Sequence, residues 1–368
     1  MKFINQLKNY IPVMVLILTY SVEARSDINV VTSIKPLHSI ASNIMDGVSE
    51  PTLLVEGTTS PHSYIMKPSH VEAINNADLI FFVSDEHLET FLAKPLSNVN
   101  NNAKIVELMD NEDLFVLKFR EKNIYMGDDH DDHDDHDDHH DEDKHAKHDD
   151  HDDHDDHGEH DEHDEHDDHD EHDDHDEHDD HDEHDDHDEH GHHEHAHGEF
   201  DIHVWLDPFN AKVIANNIAK ELSKLDPANT SIYQNNRDKF VEKVNDTEEK
   251  ISQQLDHYVS YVTFHDAYQY FENRFDVASS GALTINPDVM PGARQLSDVR
   301  ELMADNDIHC IFSEPQFNPK VVEVIAEDTN TKMGILDPLG ATIPLGKDHY
   351  FGVLTEIADS LEDCGHDH

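Results

Sequence analysis

Positive charge is scarce in this 368-residue chain: 25 Lys and Arg stand against 84 Asp and Glu, a formal net charge of −59. A phosphate backbone is held by a basic face, so nucleic acid is not an expected partner. Long apolar runs are nearly absent too. The one candidate, residues 11–20 (IPVMVLILTY), is too short to span a bilayer comfortably. Lys2 and Lys8 precede it and Val22-Glu23-Ala24 follows it, the layout of a cleavable export signal over residues 1–24. Cysteine is limited to Cys310 and Cys364, and neither follows the apolar run, so no lipid acceptor is available there. An isolated pair in an exported chain suggests one disulfide, worth roughly 4 kcal/mol in the chain-entropy model for a loop of about 54 residues. Two free buried thiols are the alternative.

Histidine and carboxylate are abundant, and they are concentrated. Residues 128–199 hold 40 acidic side chains, 2 lysines and 25 of the 36 histidines, a net −38 that leaves −21 on the rest of the chain. The repeat is Asp-Asp-His or Asp-Glu-His with a period of three. Such a segment has almost nothing apolar to bury and is expected to be disordered without a ligand. Its ligands are dense but not preorganised, so several weak, exchanging metal sites are expected. A metal reservoir or sensor is the functional reading, and a solvated linker the plain one. Within it, His193-Glu194-His195-Ala196-His197 matches the H-E-x-x-H metalloprotease pattern. That chemistry needs a rigid helix and a cleft, so the match is read as chance.

Outside the block, apolar runs alternate with helical periods. Strands are predicted at 28–33, 51–55, 77–84, 104–108, 258–264, 276–280, 308–313 and 332–336. Helices are predicted at 69–76, 208–225, 265–273, 295–304, 319–327 and 350–361. The run ADLIFFVS at 77–84 is continuously apolar, as strands of parallel sheets are. The pattern predicts an α/β fold: two Rossmann-like lobes with parallel sheets, over 25–226 and 257–368, with the acidic block interrupting the first. A mostly polar helix at 227–256 is expected to join them as a strut. A crevice at the carboxyl ends of the strands is the expected ligand site.

Three histidines sit near turn-forming residues in separate parts of the chain: His62 in SPHSY, His203 in DIHVWLDP and His265 in TFHDAY. Three neutral imidazoles suit tetrahedral zinc, with a fourth place for carboxylate or water. Taken singly, each is more often a structural residue. His38 is read as structural or capping, and His70, His87, His257 and His309 as surface or helix-end residues. Trp205 and Tyr268 are read as packing near the site, and Glu314 as a structural hydrogen-bond acceptor.

The segments TSIKPLHSIAS, GTTSPHSYIMKPS, ADLIFF, IHVWLDP, FHDAYQYFENRF, FSEPQFNP and MGILDPLG run through nearly the whole chain outside the block. In type and order they resemble the periplasmic zinc-binding components of bacterial ABC zinc importers, the ZnuA-like group of cluster 9 solute-binding proteins. An acidic, His-rich insertion is itself a feature of the zinc members. The resemblance implies zinc held by His62, His203 and His265. It implies Asp337, in LDPLG, as a candidate fourth ligand, matching a carboxylate that binds metal in manganese members. Some zinc relatives carry an acidic residue just before the first histidine, where this chain has Pro61, so water or Asp337 is favoured there. A bridge between Cys310 and Cys364 also fits the zinc members. Imidazole at the third position favours Zn²⁺ over the harder Mn²⁺.

The expected function is capture of Zn²⁺ in the periplasm and delivery to the membrane permease of an ABC importer, by a monomer that performs no chemistry. A metal buffer or adhesin without a transport role is the alternative. A zinc hydrolase using Asp337 or Glu314 as base is the third reading, and no base or nucleophile motif supports it.

Overall fold

A computed structural model describes residues 28–99, 103–125, 199–255, 259–287 and 289–365. The expected export signal, the acidic block up to residue 198 with its H-E-x-x-H match, and His257, His366 and His368 lie outside the described residues.

The first half runs β1 (Val30–Thr32), α1 (Lys35–Ile44), β2 (Thr52–Leu53), α2 (Pro68–Asn75), β3 (Leu79–Phe82), α3 (Ala93–Leu96) and β4 (Lys104–Glu107). After the block come α4 (Pro208–Leu225) and α5 (Thr230–Gln254). The second half is β5 (Tyr261–His265), α6 (Gln269–Phe275), β6 (Gly281–Thr284), α7 (Ala293–Asp305), β7 (Cys310–Ser313), α8 (Lys320–Thr329), β8 (Lys332–Ile335) and α9 (His349–Gly365). The strands form two parallel four-stranded sheets of the same order, β2-β1-β3-β4 and β6-β5-β7-β8. This is the expected α/β architecture. The central strands are short and mostly apolar or small, as at Leu79-Ile80-Phe81-Phe82, and every residue of β3 is buried because helices cover both faces.

Helix starts follow local chemistry. Pro36 and Pro68 stand in the first turns of α1 and α2, where a missing N–H costs nothing. Asp207 caps α4 by accepting the N–H of Phe209 at 2.8 Å. Two departures from expectation concern element placement. The strand expected at 276–280 begins only at Gly281, because Asp276 takes a left-handed φ of 55° and ends α6 instead. The long α5 is more than a strut. It buries Tyr233, Phe240, Val244 and Ile251 on one stripe and joins the main apolar core with α1, α4 and α9. Its buried Asn236 donates to the carbonyls of Ile44 and Asp46, closing the end of α1.

The last helix folds back. Tyr350 of α9 donates its N–H to Ser39 Oγ of α1 at 3.0 Å and its hydroxyl to the Trp205 carbonyl at 3.0 Å. Cys364 at the end of α9 is bridged to Cys310 of β7, with Cα atoms 6.0 Å apart. The thiols are therefore a disulfide, not a free pair.

Candidate metal centre

Each candidate ligand hangs from a strand end or from a turn before a helix. His265 is the last residue of β5, and Glu314 follows β7 directly. β5 and β7 are the neighbours at which the strand order of the second sheet reverses, the place where such sheets open a crevice. His203 begins the single turn at Val204–Leu206 that leads into α4. His62 lies in the connection between β2 and α2, which turns through Gly57 at φ +71°.

These three histidines converge. Their candidate ligand nitrogens all lie within 4.8 Å of one another, and they form the only such group of His, Cys, Asp and Glu among the described residues. Ring centroids are 5.3 Å apart for His203–His265, 5.9 Å for His62–His203 and 6.0 Å for His62–His265.

Two rings are oriented by buried carboxylates. His203 Nδ1 meets Asp201 Oδ1 at 2.8 Å, and the same oxygen accepts the His203 backbone N–H at 2.9 Å. His265 Nδ1 meets Glu314 Oε1 at 2.5 Å. An ionised carboxylate accepts, so with Asp201 and Glu314 ionised each Nδ1 carries the proton and each Nε2 is the ring atom that can ligate. The two Nε2 atoms face each other at 3.4 Å. Two ligands about 2.05 Å from a tetrahedral ion stand roughly 3.4 Å apart, a separation these two atoms match. Burial, then the proximity of His203 and His265, holds the His62 imidazolium pKa well below its ordinary value, which favours the neutral form of that ring. Burial, then the nearby Asp337, pushes the Glu314 carboxyl well above its usual range. The His265 backbone N–H, donating to Oε1 at 3.3 Å, opposes that shift.

The space between the rings is a cavity of about 10 Å³, lined by the histidines with Pro61, Leu88, Trp205 and Phe317 among others. That is about the room of one small sphere. It suits an ion and excludes an organic solute, whose sites are commonly ~300 Å³ or more.

Asp337 lies outside the three-histidine group among the described residues. Its Oδ1 accepts Gln316 Nε2 at 2.6 Å and the Leu339 N–H at 3.0 Å, and its Oδ2 accepts the Ala341 N–H. In this structure it ties the turn after β8. Glu314 fits its reading as an acceptor, though its second oxygen is buried without a partner. Trp205 packs 5.3 Å from the His203 ring and donates Nε1–H to the Pro338 carbonyl at 2.8 Å. His38 is structural, its Nε2 facing the Pro51 carbonyl at 3.0 Å. His70 is a helix-end residue, as read, in the first turn of α2, but it is buried and not on the surface: it is 5 % exposed, with Nδ1 2.8 Å from the Tyr64 hydroxyl. Asp201 is a site residue that the sequence alone does not mark out. The signal that would find it is a carboxylate two residues before a candidate ligand histidine.

Residues 30–364 match the model of the family described as "ZnuA: Zinc-uptake complex component A periplasmic". The chain belongs to this family. It is 40% identical over 337 residues to the high-affinity zinc uptake system protein ZnuA of Brucella abortus (strain 2308), covering 91% of each chain. It is 39% identical over 338 residues to the protein of that description from Haemophilus influenzae, covering 91% of this chain and 92% of the relative. Among solved structures it resembles one described as the crystal structure of ZnuA, with a TM-score of 0.62 at 20% identity over 91% of this chain and 99% of that one, a likeness of fold. The family is one of periplasmic solute-binding proteins, not of enzymes. Among the described residues no helix is long and apolar enough to cross a membrane.

Proposed function

We propose that this chain captures Zn²⁺ with His62, His203 and His265 and delivers it to the membrane permease of an ABC-type importer. The observation that carries the reading is the convergence of the three rings, with the Nε2 atoms of His203 and His265 3.4 Å apart and each of those two rings fixed by a carboxylate on its far side. A cation placed between those two nitrogens would be held by both. Imidazole ligands with outward carboxylate partners are the arrangement zinc sites favour. The family's description as a zinc-uptake component supplies the cargo and the transport context.

The histidine-rich block is assigned a separate role as a low-affinity zinc reservoir or sensor, supported by its 25 histidines and dense carboxylate. Its rings bind metal when neutral and release it as they protonate near pH 6.5. Export to the periplasm is assigned to the signal segment at 1–24. The three-histidine site leaves a fourth position for water or for Asp337 after a shift of its turn.

Calorimetry on a chain lacking residues 128–197 tests both parts. One tight zinc site should remain, at a stoichiometry far below that of the full chain. Replacing His62, His203 and His265 together should then abolish it. A tight site surviving the triple replacement refutes the ligand assignment, and an unchanged stoichiometry on deleting the block refutes the reservoir.

A further inference from the structure

Between β4 and the acidic block the chain leaves the first sheet and is strapped onto the second. Asn210 of α4 grips Phe115 in both directions, its Oδ1 accepting the N–H and its Nδ2 donating to the carbonyl, each at 2.8 Å. The Leu117 N–H then donates to the Tyr270 hydroxyl at 3.1 Å, and that hydroxyl donates to the Asp201 carbonyl at 2.6 Å. Lys118 bridges antiparallel to Phe200, so the two ends that flank the block are laid side by side. Farther on, Ile124 bridges antiparallel to Gly281 at the edge of β6. There Ala282 N–H donates to the Asn123 carbonyl at 2.8 Å and Tyr125 N–H to the Ser280 carbonyl at 3.1 Å. A Cβ at position 281 would stand 2.6 Å from the Asn123 oxygen, so only glycine admits the strap.

At the centre of this strap is Arg120. Its guanidinium donates to Asp266 Oδ1 at 2.8 Å and Glu272 Oε2 at 2.6 Å, and lies 4.1 Å from the centre of the Tyr125 ring. Both carboxylates are about 3 % exposed. Asp266 follows His265, and its own N–H is held by the Thr284 carbonyl at 3.2 Å. Glu272 sits on α6, the helix that begins just beyond this turn. On the other side, the Gln269 amide, oriented to satisfy both acceptors, donates to Asp201 Oδ2 at 3.2 Å and the Lys118 carbonyl at 3.1 Å. The strap thus touches the turn that carries His265 directly, and reaches the carboxylate that orients His203 through Gln269 of α6.

We propose that Arg120 is a positioning residue for the metal centre, one that sets the angle of His265 toward His203 by clamping Asp266 and Glu272 to the strap. It touches neither metal nor ligand ring. Its effect passes through the backbone of the β5–α6 turn, and the clamp sits on the segment that leads into the histidine-rich block. Two buried carboxylates without their shared cation would repel and draw in water, turning Asp266 and the adjacent ring. The inference rests on the three histidines being the zinc ligands.

The test uses the full-length chain and one equivalent of Co²⁺, whose visible ligand-field bands report coordination geometry. The chain with all three histidines replaced by Ala serves as the blank. Arg120→Met should shift or weaken the bands and speed zinc transfer to a chelator by about 10- to 100-fold, the scale on which outer partners of metal ligands act. Arg120→Met with Asp266→Asn and Glu272→Gln removes the repulsion without restoring the clamp. It should fold stably yet keep the altered bands and the faster release, and it decides the matter alone if the single variant fails to fold. Wild-type bands and release in either folded variant overturn the positioning role, whatever happens to the melting temperature. A wild-type spectrum indistinguishable from the blank would instead refute the three-histidine site itself.

Discussion

His203 and His265 each give Nδ1–H to a buried carboxylate, Asp201 or Glu314, whereas the His62 ring has no hydrogen-bond partner among the described residues. The first two hang from β5 and from the turn before α4, which Arg274 ties to α6 by gripping the capping Asp207 at 2.8 and 2.9 Å. The third stands on the loop at 56–67, where the one bond made by His62 itself is from its backbone N–H to Ser60 Oγ at 3.2 Å. With His62, His203 and His265 as the proposed zinc ligands, a pre-oriented pair and a lightly held third would divide the work of a carrier. The pair supplies a fixed edge onto which an ion can dock, and the third ring closes the sphere and can leave it. On the proposed function, release would follow from a shift of the loop at 56–67, a smaller change than parting two sheets that share a core with α1, α5 and α9.

The largest expected effect is the direct contest between the two kinds of ligand. His203→Ala or His265→Ala should cost more than the ~100-fold that orienting partners command, and should abolish retention of zinc against a chelator. His62→Ala should leave a weaker but measurable site on the remaining pair. Equal losses from all three replacements would erase the distinction. Next in size, Glu314→Gln and Asp201→Asn should each weaken zinc about 10- to 100-fold by freeing or reversing one ring. Competition with a fluorescent chelator measures this, and wild-type affinity in both variants would show that the carboxylates do not matter.

A smaller effect isolates the loop. Gly57 has φ +71°, and a Cβ there would meet nothing within 4 Å, so Gly57→Ala adds backbone strain without a clash. The expected destabilisation is about 1 kcal/mol. Gly47, at φ +81° beyond the end of α1, is equally open and gives a matched control. Both variants should melt lower by similar amounts, but only Gly57→Ala should change the rate of zinc release. If the control changes it equally, the loop is not the moving part.

The held half of the centre is easier to read in the sequence than what holds it. His203 and His265 stand beside apolar runs such as YVTF and VWL, so strand ends and turns can be placed around them. The parallel sheets follow from the alternation of such runs with helical periods. Glu314 can be read as an acceptor, but its partner cannot, because Nδ1 of His265 and Oε1 of Glu314 are 49 residues apart and meet only across neighbouring strands. Asp201 is hidden beside the acidic block, where only its place two residues before His203 sets it apart from the other carboxylates. The strap at 115–125 leaves no trace, since its grip on β6 is made by backbone groups that any residue possesses. Its one marker, Gly281, stands after two serines and reads as a turn. The polar face of α5 disguises a buried stripe because Asn236 is among the residues that stripe buries.

The smallest expected effect comes from acid and touches the far end of the His62 loop. Tyr64, two residues on, stacks against His70 at 5.8 Å between centroids and donates its hydroxyl to the Leu54 carbonyl at 2.9 Å. Burial lowers the pKa of His70, and the nearby Lys67 adds to the shift. A histidine with a lowered folded pKa stabilises the fold fully above the unfolded value near 6.5, and that contribution is lost as pH falls toward the folded value. His38 and His349, also lowered by burial, act in the same direction. Glu89, raised to about 7 by burial, acts in the opposite one, gaining stability as pH falls from 7 toward its ordinary range. Metal-free protein should therefore show a slope of melting temperature against pH between 7.5 and 5.5 to which His70 contributes a loss in acid. His70→Gln removes that contribution alone, so its melting temperature should fall less, or rise more, over the same interval than that of the wild type. Parallel slopes would mean that His70 does not titrate with folding, and the loop's far anchor would then be as indifferent to acid as a residue on the surface.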